Sequence, residues 1–130
     1  MGEIFCGNIY LCHVYRKSLD LLLDIPSMST RLAQLSQLLA QSPQDPFLMF
    51  AIAKEHEKLG DAAEALRHYE LLRTANPDYV GLYYHFGKLQ LRTDPDAAAE
   101  TYRAGIAVAQ KAGDFHALAE LKGALLELED

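Results

Sequence analysis

Tryptophan is absent, and the two cysteines, Cys6 and Cys12, both fall in the first dozen residues. A disulfide framework spreads its cysteines through the fold it staples, so the body of the chain has none, and a reducing, cytoplasmic setting is expected. Cys6, Cys12 and His13 fall short of the roughly four close ligands of a structural zinc site. Long apolar runs are also missing: nothing approaches the ~18 residues that a membrane span needs. The start, Met1-Gly2-Glu3, carries no basic n-region, and the apolar stretch behind it is cut by His13, Arg16, Lys17 and Asp20. Ile25-Pro26-Ser27 is no small-x-small cleavage site, so a secretory leader is not expected. Basic residues are in the minority, 12 against 18 acidic, for a net charge of −6. That balance argues against nucleic acid or an anionic membrane as the main partner.

Catalytic signatures are missing as well. There is no P-loop and no G-x-G-x-x-G, and the five histidines (His13, His56, His68, His85 and His116) are scattered. Glu55, His56, Glu57 and Asp61 do not make a metal-ligand spacing such as H-E-x-x-H. No catalytic residue, metal or cofactor is expected, and an enzyme is not the reading.

What the chain does contain is a repeat. Leu48 answers Leu82, Phe50 answers Tyr84, Ala53 answers Gly87 and Lys54 answers Lys88, each pair 34 residues apart. Ala65 and Tyr69 answer Ala98 and Tyr102 at a separation of 33, so the second copy has lost one residue in its turn. A period near 34 with small residues at fixed places describes helix–turn–helix units that stack on one another and present a binding surface.

Turn and cap residues divide the chain accordingly. Leu32, Leu35, Leu38 and Leu39 put an apolar face on a helix over 29–41. Asp45-Pro46 and Asp94-Pro95 each read as an N-cap followed by proline at the first helical position. The first predicts a helix to about 59, stopped by Gly60, and the second a helix over 95–112. Asp61-Ala62-Ala63-Glu64 resembles a capping box and opens a helix to about 75. Asn76-Pro77 breaks that helix, and a fourth is expected over 79–92. Beyond Gly113-Asp114 a last helix, 115–129, carries Leu118, Leu121, Leu125 and Leu128 on one side. The fold class is therefore all-α, with loops of two to five residues joining antiparallel neighbours. Residues 1–28 show no repeat and are expected to be a poorly ordered extension. They read either as sequence upstream of a true start at Met28 or as a tail of the helical domain, which spans 29–130.

The pattern resembles the tetratricopeptide repeat family: large-x2-Leu-Gly-x2-Tyr in a first helix, then Ala-x3-Phe and a closing proline in a second. The first copy, about 46–79, holds Met49, Ile52, Ala53, His56, Ala65, Tyr69 and Pro77 at these places. The second, about 80–112, holds Tyr83, Phe86, Gly87, Gln90, Ala98 and Tyr102. Gln90 departs from the expected aromatic, and the second copy has no closing proline. The resemblance implies a solenoid in which Ala53, Gly87, Ala65 and Ala98 sit at close helix crossings, with helices 29–41 and 115–129 as caps. His56, at the place of an inward tyrosine, reads as a core histidine.

In that family the first helix of each repeat lines a concave groove that receives peptides. Carried over by position, the groove would be lined by Phe50, Lys54 and Lys58 in the first copy and by Tyr84, Lys88 and Arg92 in the second. The implied function is a protein-interaction module with a locally basic groove suited to an acidic peptide or a terminal carboxylate. It lacks the groove asparagines of the family's carboxylate clamp. The alternative is a structural subunit that assembles with itself, as a homo-oligomer, or with a larger complex through its end helices.

Overall fold

The computed structural model describes residues 28–130, and the expectations for residues 1–27 lie outside the described residues. Six helices follow one another: α1 (Met28–Gln41), α2 (Pro46–Lys58), α3 (Ala62–Ala75), α4 (Gly81–Gln90), α5 (Pro95–Ala112) and α6 (Phe115–Glu129). There are no strands among the described residues. Each helix packs against its neighbour in sequence, and α4 also packs against α6.

The caps work as the residue types dictate. The Asp45 carboxylate accepts from the backbone N–H of Phe47 at 2.9 Å, with Pro46 in the first turn. Asp61, Asp94 and Asp114 accept from the N–H three residues on, at Glu64, Ala97 and Ala117. Gly113 closes α5 in the left-handed conformation at φ 73°, where a Cβ would be strained. α4 is shorter at both ends than the expected 79–92. Val80 offers no capping side chain, and its carbonyl instead closes a tight turn to the N–H of Tyr83. At the other end, Arg92 and Thr93 donate to the carbonyls of Leu89 and Gln90, three residues back, so the chain tightens out of α-helix.

The core runs along the helix crossings. Ala53, Ala65, Tyr69, Leu72, Leu82 and Ala98 are completely buried, and Tyr83, Phe86, Leu89, Tyr102 and Leu121 nearly so. Leu118, Leu125 and Leu128 of α6 pack against this cluster around Leu121, as the spacing predicts. In α1 the spacing holds only in part. Leu32, Leu35 and Leu39 are half-buried, whereas Leu38 is 48% exposed. An end helix that covers only α2 buries a narrower stripe than one packed on two sides.

α1 is also tied to α2 by charge. Glu55, buried in α2, has Arg31 Nε at 3.2 Å and Lys58 Nζ at 3.8 Å from its Oε2. Gln90, at a place that favours an aromatic, is satisfied instead: its Oε1 accepts from the buried Thr101 hydroxyl at 2.5 Å.

Two glycines set how closely the helices approach. A Cβ on Gly87 would lie 2.5 Å from Cε1 of the buried Tyr102 ring. A Cβ on Gly105, which the repeat pattern does not single out, would lie 2.5 Å from Tyr83 Cβ. Neither neighbour can yield without moving a buried ring or the backbone. By contrast, a Cβ on Gly123, inside α6, meets nothing within 4 Å. Alanine should therefore have opposite effects at these sites. Gly87→Ala and Gly105→Ala should each destabilise by about 1–3 kcal/mol through overpacking. Gly123→Ala should stabilise by about 0.5–1 kcal/mol through helix propensity. Urea unfolding of the three variants checks this. Equal effects at all three would mean that the crossings are looser than the geometry states.

Candidate partner-binding groove

The first helices of the two copies, α2 and α4, come together along one side, and α6 continues the row. His85 of α4 stands at the join. Its ring lies 5.4 Å from that of Phe50 and 5.5 Å from that of Tyr84, and its Nδ1 is 3.2 Å from Lys54 Nζ. An ammonium can only donate, so His85 accepts at Nδ1 and carries its proton on Nε2. Helical spacing alone does not choose His85 from the Tyr83–Phe86 run. Only the rotation of α4 against α2 brings it forward.

Phe50 is no free aromatic on this surface. It is half-buried and wedges α2 against its neighbours, with ring centroids 6.1 Å from Tyr69 and 5.5 Å from Tyr79. Lys54 is 31% exposed and lies 3.4 Å from Glu57 Oε1. The same Glu57 oxygen accepts from the Tyr69 hydroxyl. Burial, and then this bond to Glu57, push the Tyr69 hydroxyl well above the ordinary phenol range. Lys58 leans the other way, toward Glu55 and α1. The expected stripe of four cations is thus two paired lysines on α2 and two further cations in the second copy.

Lys88 and Arg92 make no ion pair within 4 Å among the described residues, and both are exposed. The reason is legible one period back. Glu57 and Glu55, which pair Lys54 and Lys58, are answered 34 residues on by Leu91 and Leu89. Lys88 instead lies over the Tyr84 ring, its Nζ 5.7 Å from the centroid. Tyr84 and Lys88 open onto a concavity of about 450 Å³ between α4 and α6. Leu91, Tyr102, Glu127 and Leu128 complete much of its wall.

The comparisons with known proteins fit this arrangement. A tetratricopeptide repeat domain protein from Salinibacter ruber, in its crystal structure, is 48% identical over 65% of this chain and 97% of its own, with a TM-score of 0.63. The chain belongs to the tetratricopeptide repeat family. A solution structure of a tetratricopeptide repeat domain protein from the same organism gives 48% identity over 67% and 89% of the two chains, with a TM-score of 0.64. At 14% identity, PcrH, solved in complex with the chaperone binding region of PopD, shares the fold over 94% of this chain with a TM-score of 0.72. No family model and no curated protein matches the chain.

The buried side of this tetratricopeptide groove also has a pH signature. Burial, and then Lys54, hold the His85 imidazole below the usual histidine range of 6.5; Lys88 lowers it further, while Glu57 and Glu120 oppose. The folded chain therefore binds fewer protons at His85 than the unfolded chain, and stability rises with pH in that range. The His85 contribution should be fully present above about pH 6.5 and be lost as pH falls below it. Thermal melts at pH 7.5 and pH 5 should show the wild type losing more than His85→Asn does. An equal loss in both would mean that His85 is as well solvated as in the unfolded chain.

Proposed function

We propose that the chain is a protein-interaction module that seats an extended segment of a partner along α2, α4 and α6, with its anionic group at Lys88 and Arg92. The observation that carries this reading is the change between the copies. Both glutamates that neutralise Lys54 and Lys58 are leucines beside Lys88 and Arg92, so both cations stand without an ion pair, and Lys88 opens onto a concavity whose wall is apolar at Leu91, Ala124 and Leu128 and acidic at Glu127. A charged group next to apolar surface suits a ligand with both characters, such as a terminal carboxylate next to a large apolar side chain. His85 and Phe50 would extend the contact toward the first copy. PcrH, which shares only the fold, is described with a region of another protein, so the architecture is compatible with a bound segment.

The alternative, assembly through the end helices, draws on Phe115 and Leu126 of α6, exposed to 80% and 65%. Salt separates the two readings, because an electrostatic contact weakens with ionic strength and an apolar one does not.

A terminally randomised peptide library with free carboxylates, screened by fluorescence polarisation, tests the groove. Selected peptides should end in an acidic or carboxylate group beside an apolar residue and weaken as salt is raised. Lys88→Glu should lower their affinity by roughly ten-fold or more, as expected for a charge-assisted contact worth ~1.5–3 kcal/mol. Peptides that bind Lys88→Glu as well as wild type would overturn the placement. A concentration-dependent increase in mass in sedimentation, abolished by Leu126→Glu, would favour assembly.

A further inference from the structure

A second cluster of chemistry-bearing side chains lies at the hairpin of α2 and α3, away from the groove. His56 comes two residues after Lys54, about 200° around the helix. Its ring stacks on that of His68, with centroids 4.9 Å apart and planes 14° apart. Glu64, one turn before His68 on α3, places Oε2 3.7 Å from His68 Nε2. One donor atom from each of the three side chains lies within 4.8 Å of the other two, and all three residues are half-buried.

We propose that His56, Glu64 and His68 form a binding site for one zinc-class divalent cation, which would join α2 to α3. Two imidazole nitrogens and a carboxylate oxygen are a donor set suited to such ions, with a fourth position left for water. The cluster already holds a cation of another kind. Arg67 Nη2 lies 2.9 Å from Glu64 Oε2 and 3.3 Å from His68 Nε2. A guanidinium only donates, so His68 presents a lone pair at Nε2, the neutral form that a metal requires. Arg67 is 57% exposed, so it has solvent to turn into once a metal displaces its hydrogen bonds to Glu64. Binding asks the donor atoms to close to the roughly 3.3 Å that two bonds of ~2.05 Å span at a tetrahedral angle. Rotation of the three side chains on their adjacent helices would supply that movement.

The second copy shows that packing alone does not demand these groups. His56 and His68 are answered by Gln90 and Thr101, joined by a hydrogen bond, and Glu64 is answered by Ala97. The cross-hairpin position is filled there by a neutral pair with no ligand set. The H-E-x-x-H spacing does not capture the site because its donors come from two helices.

The test is isothermal titration of the metal-stripped full chain with Zn2+, in parallel with thermal melts. Wild type should bind one Zn2+ at this site and melt at a higher temperature with Zn2+ than without. His68→Ala and Glu64→Gln should lose that binding while keeping wild-type helicity by circular dichroism. Arg67→Ala should bind more tightly, because the competing cation is gone. Cys6→Ser/Cys12→Ser should bind as wild type does, which excludes the thiols as the source. The proposal is overturned if His68→Ala and Glu64→Gln bind unchanged, if Arg67→Ala binds more weakly, or if the cysteine variant alone abolishes binding. Since Glu64→Gln is a near-isosteric change at a side chain that is 41% exposed, loss of folding in His68→Ala would not leave the question open.

Discussion

The close crossing of helices at positions too small for a side chain is the constraint on which the rest depends. Tyr102 fills the space against Gly87, and Tyr83 fills the space against Gly105, each at a distance that excludes even a methyl group. Ala53, Ala65 and Ala98 are fully buried at the corresponding places. Helix pairs held this closely have little freedom to rotate, because turning either would drive a buried ring into backbone. Fixed rotation in turn decides which residues each helix leaves on its outer faces. The groove and the hairpin cluster are thus consequences of the crossing, with no loop needed to build either.

The first hairpin is fastened by polar groups on both sides of that crossing. On one side the Tyr69 hydroxyl donates to Glu57, which also faces Lys54. On the other, the next-door His68 lies against His56. The second hairpin uses Thr101 and Gln90 at the histidine place and leaves the Glu57 place to Leu91. The same backbone frame therefore carries different electrostatics in its two copies. Lys54 is held by a neighbour whose oxygen is already engaged with the core, whereas Lys88 rests on an aromatic face and keeps its charge for solvent or a ligand.

Much of this fold is legible in the amino-acid sequence. The repeat at 34 residues, the aspartate–proline caps and the small residues at the crossings depend on local rules of helix geometry, and the helices stand close to where those rules put them. The groove residues Phe50, Lys54, Lys58, Tyr84, Lys88 and Arg92 can be named by repeat position, but their pairing cannot. Whether a lysine is free depends on side chains three residues away on its own helix and on the helix beside it. Lys54 and Lys88 look equivalent until Glu57 is set against Leu91. His85, the closeness of His56 to His68, and Gly105 all depend on the angle between helices, which no single-helix pattern contains. Leu38 shows the converse: its spacing is that of a core residue, but an end helix has only one neighbour against which to bury it.

The difference between the copies bears on how the two proposed sites relate. Lys54 and His56 occupy opposite faces of the same helix, so a ligand on one face does not obstruct the other. The link between them runs through Tyr69 and His68, neighbours on α3 that are fastened to opposite faces of α2. A cation shared by His56 and His68 would hold α3 at the angle that keeps the Tyr69 hydroxyl on Glu57, and hence Lys54 beside His85. Cation binding and groove geometry would then favour the same packing of the first hairpin. The second hairpin, which carries the unpaired Lys88 and Arg92, has no such ligand set. Its geometry rests on Gly87, Gly105 and the rings packed against them, with the Thr101–Gln90 hydrogen bond across the hairpin, so the surface proposed to meet the partner is already shaped before a ligand arrives.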